Sequence, residues 1–142
     1  MIEKRGDRAR IVLVGIAAAL FALDCGGSEP VGGFLTFTQL ENPACSTTSD
    51  PTTTTMVVEG IIENIAGDKA VNVQVVASFF VEPLGGQSGA SPICTASLSL
   101  GDVAKETQTI KTLTCVTQDS RCPQSYTVAF PNNHHAGYAG AF

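Results

Sequence analysis

The stretch Val-Asn-Val-Gln-Val-Val-Ala-Ser-Phe-Phe-Val, residues 71–81, decides the fold of this chain. Its apolar residues recur at every second position, and the polar residues Asn72, Gln74 and Ser78 lie between them. A period of two places alternate side chains on opposite faces of a β-strand, whereas a helix would scatter them around its axis. The stretch therefore predicts a strand whose buried face carries Val71, Val73, Val75, Ala77, Phe79 and Val81.

Five other segments are typical of strands, and turns or loops separate them, most clearly the Gly- and Pro-rich loop 83–92. Segment 106–115 alternates poorly, which favours an edge position. The predicted strands are residues 34–40, 56–65, 71–81, 94–100, 106–115 and 126–130. Because no segment shows a convincing helical period, we predict an all-β fold, a small antiparallel β-sandwich of about six or seven strands, with a small barrel as the alternative.

The composition is that of one folded, acidic domain. The chain has 142 residues, and its 8 Lys and Arg against 13 Asp and Glu give a formal net charge of −5. Hydrophobic residues make up 44% of the chain, which is too large a share for a disordered polymer. A negative net charge disfavours binding to a phosphate backbone, so we predict no nucleic-acid partner.

The N-terminus has the layout of a signal peptide. Residues 1–10 contain four Lys and Arg, and residues 11–23 form an apolar run. This run is shorter than the roughly 20 residues that a bilayer-spanning helix needs. We therefore predict a signal peptide over residues 1–24 and an exported protein.

The sequence Ala22-Leu-Asp-Cys25-Gly-Gly-Ser28 follows, and it resembles the lipid-attachment box of bacterial lipoproteins. Ala22 and Asp24 stand where that family usually carries Leu and a small residue. The resemblance implies that Cys25 becomes the acylated first residue of a lipoprotein at the outer membrane or cell surface, or on its periplasmic side, with the membrane as a partner. The alternatives are ordinary cleavage after Gly27, which yields a soluble protein, and an uncleaved anchor or a wrong start codon.

The four remaining cysteines, Cys45, Cys94, Cys115 and Cys122, predict two disulfides. An even number of cysteines in an oxidising compartment is typical of complete pairing. Four cysteines permit three pairings. The six residues between Cys115 and Cys122 suit a bridge across a turn, which leaves Cys45 to pair with Cys94, and we favour this pairing. A zinc site is the weaker alternative, because the spacing contains no Cys-x-x-Cys pair.

The exported part divides into a tether, a domain and a tail. Residues 25–33 are Gly-rich and predict a flexible, lipid-anchored tether. Residues 34–130 form the predicted sandwich, in which the Thr-rich segment 45–55 is a polar connector leading into an edge strand, with an O-glycosylated loop as the alternative. Residues 131–142 predict a flexible C-terminal tail.

Three central segments share a spaced pattern: Val58-x-Gly60-x-Ile62-x-Asn64, Val71-x-Val73-x-Val75-x-Ala77-x-Phe79, and Leu98-x-Leu100-Gly101-Asp102. This pattern resembles the immunoglobulin-like FxLyD domains of prokaryotic surface proteins. The resemblance implies an extracytoplasmic β-sandwich in which Gly60 lets strands pack closely and Asn64 ends its strand by bonding backbone at the turn. It implies no particular activity.

No group of residues has the composition of a catalytic site, so we predict neither an enzyme nor a cofactor nor a metal. His134 and His135 are adjacent and fall in the predicted tail, so they offer no positioned base. Glu59 and Glu63 lie on one strand face about 13 Å apart, too far for a glycosidase pair. The leading hypothesis is a non-enzymatic interaction or structural domain whose partner is an envelope protein or glycan.

The second hypothesis is a secreted, disulfide-stapled binding module or protease inhibitor. It follows from Arg121, which the predicted Cys115–Cys122 bridge would present in a closed loop, residues 115–122. Some inhibitors present a basic side chain to a trypsin-like pocket from a constrained loop of this form.

Overall fold

A computed structural model describes residues 32–142, and all of the regular structure in this range is β-strand. The predicted signal peptide, Cys25 and the tether up to residue 31 lie outside the described residues. The strands are β1 (Phe34–Gln39), β2 (Ala44–Ser49), β3 (Thr52–Ala66), β4 (Ala70–Phe80), β5 (Cys94–Val103), β6 (Gln108–Thr117), β7 (Ser125–Ala129) and β8 (Tyr138–Ala141).

Two antiparallel sheets enclose one hydrophobic core. In the first sheet β3 is central: β6 pairs with one side of it, while β1 and β2 pair with the two halves of its other side. The second sheet has the order β5-β4-β7-β8. The predicted antiparallel β-sandwich is confirmed, and β6 occupies the predicted edge position.

The core forms where the inward faces of the two sheets meet. Alternate residues of β3 are buried from Thr54 to Asn64, as a period of two requires. Gly60 lies among them because a Cβ there would collide with the ring of Phe37 and lie 2.7 Å from the carbonyl oxygen of Thr38. The close packing at Gly60 that the family resemblance implies is therefore present. The largest fully buried side chains include Tyr126, Phe79, Phe130, Leu35, Met56 and Ile62.

Asn64 joins three segments through its buried side-chain amide. Its Oδ1 accepts a hydrogen bond from the backbone N–H of Phe34 (3.1 Å), and its Nδ2 donates to the carbonyl oxygens of Asp68 (3.0 Å) and Val103 (3.1 Å). A Cβ at Gly33 would lie 2.7 Å from the same amide, so residue 33 packs against the domain. The amide thus ties β1, the β3–β4 turn and the end of β5 together, a wider role than the resemblance implies.

The predicted buried face of β4 is correct from Val73 to Phe79 and wrong at Val71. The pairing of β4 with β5 shifts register between Ala70 and Val73, and Asn72 within this shift has a φ of 51°. A bulge adds a residue to one strand and changes which side chains face inward. Ala70 is therefore buried, whereas Val71 is 47% exposed.

Two strands correct the sequence prediction. Residues 45–49, assigned to a polar connector, belong to β2, which pairs with residues 52–57 of β3 as a hairpin. Exposed Ser and Thr side chains leave such a strand without an apolar alternation. Residues 138–141, assigned to a flexible tail, form β8 and pair with β7. There Gly140 packs on Tyr126, whose ring would lie 2.6 Å from an added Cβ.

The cysteines form two disulfides, as predicted, but the predicted pairing is wrong. Cys45 bonds Cys122, and Cys94 bonds Cys115. Cys45 and Cys115 both lie opposite Met56, on the two strands that flank β3. Cys115 points into the sandwich, where the β5 strand of the other sheet brings Cys94 within a Cα–Cα distance of 6.1 Å. Chain spacing favours a local bridge, but the approach of the two sheets decides the partner.

Candidate functional site

One edge of the sandwich is open where β5 and β6 run beside each other. β5 is the last strand of its sheet, and β6 pairs with β3 alone within residues 32–142. No backbone ladder joins β5 to β6 in this range. The disulfide Cys94–Cys115 connects the two strands at one end, and the turn 104–107 connects them at the other. The strands therefore border a groove that the chain closes covalently at both ends.

This groove, which we call the β5–β6 groove, has a volume of about 310 Å³. That volume lies at the lower end of the range of about 300–1,000 Å³ typical of ligand pockets. Leu98 and Leu100 face inward from β5 and pack against the core, but they are only partly buried. The lining residues are Leu100, Asp102, Val103, Ala104, Thr107, Gln108, Thr109 and Lys111.

Lys111 places a cation at an inward-facing strand position. It lies opposite Gly60 of β3 and follows the same alternation as the buried residues Leu113 and Cys115. Within residues 32–142, no carboxylate oxygen lies within 4.0 Å of its ammonium group. A lysine in such a position buries its stem and directs its charge toward water. Lys111 therefore contributes an uncompensated positive charge to the β5–β6 groove.

The negative charge of Asp102, at the end of the same groove, is balanced by a neighbouring lysine. Its Oδ2 lies 2.9 Å from Nζ of Lys69, and its Oδ1 accepts a hydrogen bond of 3.1 Å from the backbone N–H of Asn72. The hydrogen bond from Lys69, followed by that from Asn72, holds the pKa of Asp102 below its usual value. Asp102 is therefore ionised at neutral pH and holds the β3–β4 turn against the end of β5.

Arg121 is not presented as the inhibitor hypothesis requires. Its guanidinium donates to both carboxylate oxygens of Asp119, from Nε to Oδ1 (2.9 Å) and from Nη2 to Oδ2 (2.6 Å), and its backbone N–H also donates to Oδ1 (3.0 Å). The side-chain hydrogen bond from Arg121 is the main reason that the pKa of Asp119 is lowered to about 2. Cys122 bonds Cys45, so the predicted closed loop 115–122 does not form.

The histidines belong to the folded domain. The carbonyl oxygen of His134 accepts a hydrogen bond of 2.9 Å from the backbone N–H of Leu35. The ring of His135 packs on Phe130 with a centroid distance of 5.7 Å, and its Nδ1 lies 2.9 Å from the carbonyl oxygen of Asn133. Within the described range, no three His, Cys, Asp or Glu side chains are grouped so that they could hold a metal ion.

Glu59 and Glu63 lie partly exposed on the outer face of the first sheet, as predicted. Glu59 Oε2 accepts a hydrogen bond of 3.1 Å from the hydroxyl of Thr112. Neither glutamate and neither histidine lines the β5–β6 groove. Residues 32–142 also contain no helix that is long and apolar enough to cross a membrane.

Sequence reasoning missed Lys111, although a signal for it exists. The inward positions of β6 are Thr109, Lys111, Leu113 and Cys115, so a lysine stands in the apolar phase of the strand. Natural edge strands often carry an inward-pointing charge. The weak alternation of this segment correctly indicates an edge strand, and the position of Lys111 within it is the more specific signal.

No protein-family model and no curated protein matches this chain. Among solved structures, the chain is similar to part of a β-glucuronidase from glycoside hydrolase family 2, with 13% sequence identity and a TM-score of 0.50. The similarity covers 74% of this chain but spans only 12% of the β-glucuronidase chain, so it shows the fold alone.

A second similarity is to the ligand binding region of Serine-glutamate repeat protein A of Enterococcus faecium. Here the sequence identity is 11% and the TM-score is 0.29, and the similarity covers 70% of this chain and 88% of that chain. Fold and disulfides together define the described part of the protein as a disulfide-containing β-sandwich domain.

Proposed function

We propose that this protein is an exported, lipid-anchored component of the cell envelope whose β-sandwich acts in interaction or in envelope structure without catalysing a reaction. The observation that carries the proposal is the pair of disulfides, Cys45–Cys122 and Cys94–Cys115. Structural disulfides persist in oxidising compartments and are rare in the cytosol. They fit an extracellular or periplasmic location.

The lipid anchor is supported by the N-terminal sequence. Cys25 directly follows the predicted signal peptide and precedes Gly26 and Gly27. An acylated Cys25 would tether the domain close to the membrane, because β1 begins at Phe34. Stable anchoring requires more than one acyl chain, since a single chain binds only reversibly.

The interaction role is supported by the β5–β6 groove. The groove lies between two strands that present unpaired edges within the described range, and it carries the uncompensated charge of Lys111. Unpaired edges and a lined groove are features through which β-domains bind extended partners. An envelope protein or a glycan is therefore the proposed partner class.

The protease-inhibitor alternative is not favoured. Presentation of Arg121 to a trypsin-like pocket would first require the loss of its three hydrogen bonds to Asp119. The loop that would hold the residue is tied through Cys122 to β2 instead of being closed on itself. We therefore expect no inhibition of trypsin by the purified protein.

Intact mass tests the proposal. The protein is extracted in detergent from the membrane fraction of its own cells and weighed before and after reduction. We expect the mass of residues 25–142 plus acyl chains, and an increase of four hydrogens on reduction of the two disulfides. Peptide mapping without reduction should also recover a fragment that joins Cys45 to Cys122.

The matched control is Cys25→Ser, which removes the acceptor of the lipid and leaves every described residue unchanged. We expect this variant to be absent from the detergent extract of the membrane fraction. An unmodified wild-type mass that begins at Ser28 would overturn the lipid anchor but not export. A mass unchanged by reduction would overturn the oxidised state and with it the envelope location.

A further inference from the structure

We infer that the β5–β6 groove binds an extended peptide segment of a partner protein. The segment adds to the free edge of β6 as a further strand and places an acidic side chain beside Lys111. The inference rests on the interaction role proposed above, of which it specifies the site and the partner chemistry, and it does not depend on the lipid anchor.

The free edge of β6 is the first reason. β6 pairs with β3 over ten consecutive residue pairs, from Thr54–Thr117 to Glu63–Gln108, and its other edge has no ladder within residues 32–142. Alternate residues of a strand direct their N–H and C=O groups toward such an edge, where they pair readily with another chain. β6 contains no proline that would interrupt this edge.

Uncovered apolar side chains on both faces are the second reason. On the outer face of β6, Ile110 is 58% exposed. On the inner side, Leu98 and Leu100 of β5 are only partly buried, and Leu100 lines the groove. A strand added next to β6 would cover Ile110 with its outward side chains and the two leucines with its inward ones, as cross-strand neighbours do. The preferred peptide is therefore apolar at several positions.

The charge of Lys111 is the third reason, and it determines which side chain the partner segment must carry. No carboxylate within the described range lies within 4.0 Å of it, although the chain as a whole has a formal charge of −5. Directly opposed residues on neighbouring strands have Cβ atoms about 4.5–5.5 Å apart, which lets Lys pair with Asp or Glu. A partner segment with one acidic residue opposite Lys111 would supply the missing counter-charge.

If Lys111 served only to prevent aggregation, different results would be expected. Inward-pointing charges on edge strands also prevent edge-to-edge aggregation. If protection were the only role, removal of the charge would cause self-association, and the wild-type edge would bind no peptide. Peptide selection on the wild-type protein separates the two roles.

The test uses the purified, disulfide-bonded full chain and a displayed library of random heptapeptides flanked by threonines. We expect enriched peptides to carry Asp or Glu at one position and apolar residues at alternate positions, with no proline in the centre. For the best synthetic peptide, Lys111→Met should weaken binding about tenfold or more. The control Lys105→Met removes the same charge from the exposed turn beside the groove and should leave the affinity unchanged.

Amide hydrogen exchange locates the bound peptide. Strand addition should slow exchange in residues 108–113 of β6 and leave β8, at the other end of the second sheet, unchanged. The inference is overturned by a library that yields no enrichment, by enriched peptides that bind Lys111→Met as well as wild type, or by protection elsewhere. Because the intact mass reports on the anchor and the disulfides and not on peptide binding, failure of the proposed function and failure of the peptide site are separate outcomes.

Discussion

The two edges of the sandwich are closed by different means. At the β1–β8 edge, the backbone N–H of Leu35 donates to the carbonyl oxygen of His134, and its carbonyl accepts from Ala136 at 3.1 Å. The rings of Phe37 and Tyr138 pack edge to face there, with centroids 5.1 Å apart. At the β5–β6 edge, one disulfide and one turn connect the strands, and no ladder lies between them in the described range.

The difference shows that covalent closure and exclusion of water are separate properties. Backbone hydrogen bonds and packed aromatic rings join the two sheets at the β1–β8 edge, and Leu35 and Tyr126 are fully buried. A disulfide holds two strands at a single point. Leu98, Leu100 and Lys111 therefore remain accessible at the β5–β6 edge. The β5–β6 edge is joined covalently and still keeps a groove.

Truncation of Tyr126 should have the largest effect on stability at the β1–β8 edge. Its ring packs against Phe79, Tyr138 and Phe142, and its hydroxyl donates to Gln39 Oε1 at 2.5 Å. Burial raises the pKa of this phenol well above its ordinary value. We expect Tyr126→Ala to lower the free energy of unfolding by about 4 kcal/mol, measured by chemical denaturation.

The control Tyr126→Phe keeps the ring and removes the hydroxyl, so it should cost about 1 kcal/mol. If Tyr126→Ala cost no more than Tyr126→Phe, the aromatic packing would not stabilise this edge, and the contrast with the β5–β6 edge would fail.

Removal of the Cys94–Cys115 disulfide tests the β5–β6 edge. The two cysteines are 21 residues apart, and the double variant Cys94→Ala, Cys115→Ala restores the entropy of that loop to the unfolded chain. We expect a loss of about 3 kcal/mol in the free energy of unfolding. Hydrogen exchange should accelerate in β5 and β6 more than in β1 and β8. Equal acceleration at both edges would show that the bridge does not act locally.

A matched pair of leucines compares the two edges directly. Leu35 on β1 is fully buried, whereas Leu100 on β5 is partly exposed in the groove. Because the cost of a Leu→Ala change grows with the buried volume that is lost, we expect about 3 kcal/mol for Leu35→Ala and about 1 kcal/mol for Leu100→Ala, from denaturant titrations. Equal losses would mean that the β5–β6 edge is as well packed as the β1–β8 edge.

The smallest effect concerns the Asp119–Arg121 pair, which lies on the surface outside both edges. The pKa of Asp119 is about 2 in the folded protein against an ordinary value of 3.8, because Arg121 donates to the carboxylate. The pair therefore stabilises the fold above pH 4, and its contribution is lost as the pH falls from about 4 toward 2. Solvent screening keeps this contribution small.

Carboxyl chemical shifts measured by NMR as a function of pH test the pair. Wild-type Asp119 should titrate near pH 2, and Arg121→Gln should return the midpoint toward 3.8. A wild-type midpoint that already lies at 3.8 would show that the guanidinium does not hold Asp119, and the Arg121 side chain would then be available for presentation.

Strands with apolar alternation could be predicted from the sequence, and those without it could not. β3 and β4 direct alternating Val, Ile and Phe side chains toward the core, so the sequence itself shows a hydrophobic period of two. β2 consists of Ala, Cys, Ser and Thr, and most of its side chains are exposed. β8 buries a glycine beneath the Tyr126 ring, and a glycine produces no hydropathy signal.

The candidate site could be predicted only in part. The edge position of β6 is visible in its weak alternation, and the four cysteines predict two bridges. Which cysteines meet depends on how the two sheets approach each other: Cys45–Cys122 spans 77 residues, whereas Cys94–Cys115 spans 21 and joins consecutive strands that belong to different sheets. The β5–β6 groove depends on the same approach, because its two walls belong to different sheets.

The sequence by itself therefore determined the all-β class, the buried face of most strands and the presence of disulfides, because a period of two and the chemistry of cysteine are local properties. The tertiary structure alone decided the pairing Cys45–Cys122 and Cys94–Cys115, the incorporation of residues 138–141 as a strand, and the position of Lys111 in a groove. These features depend on how strands pack across the two sheets and at their edges, and the spacing of residues along one strand carries no information about such packing.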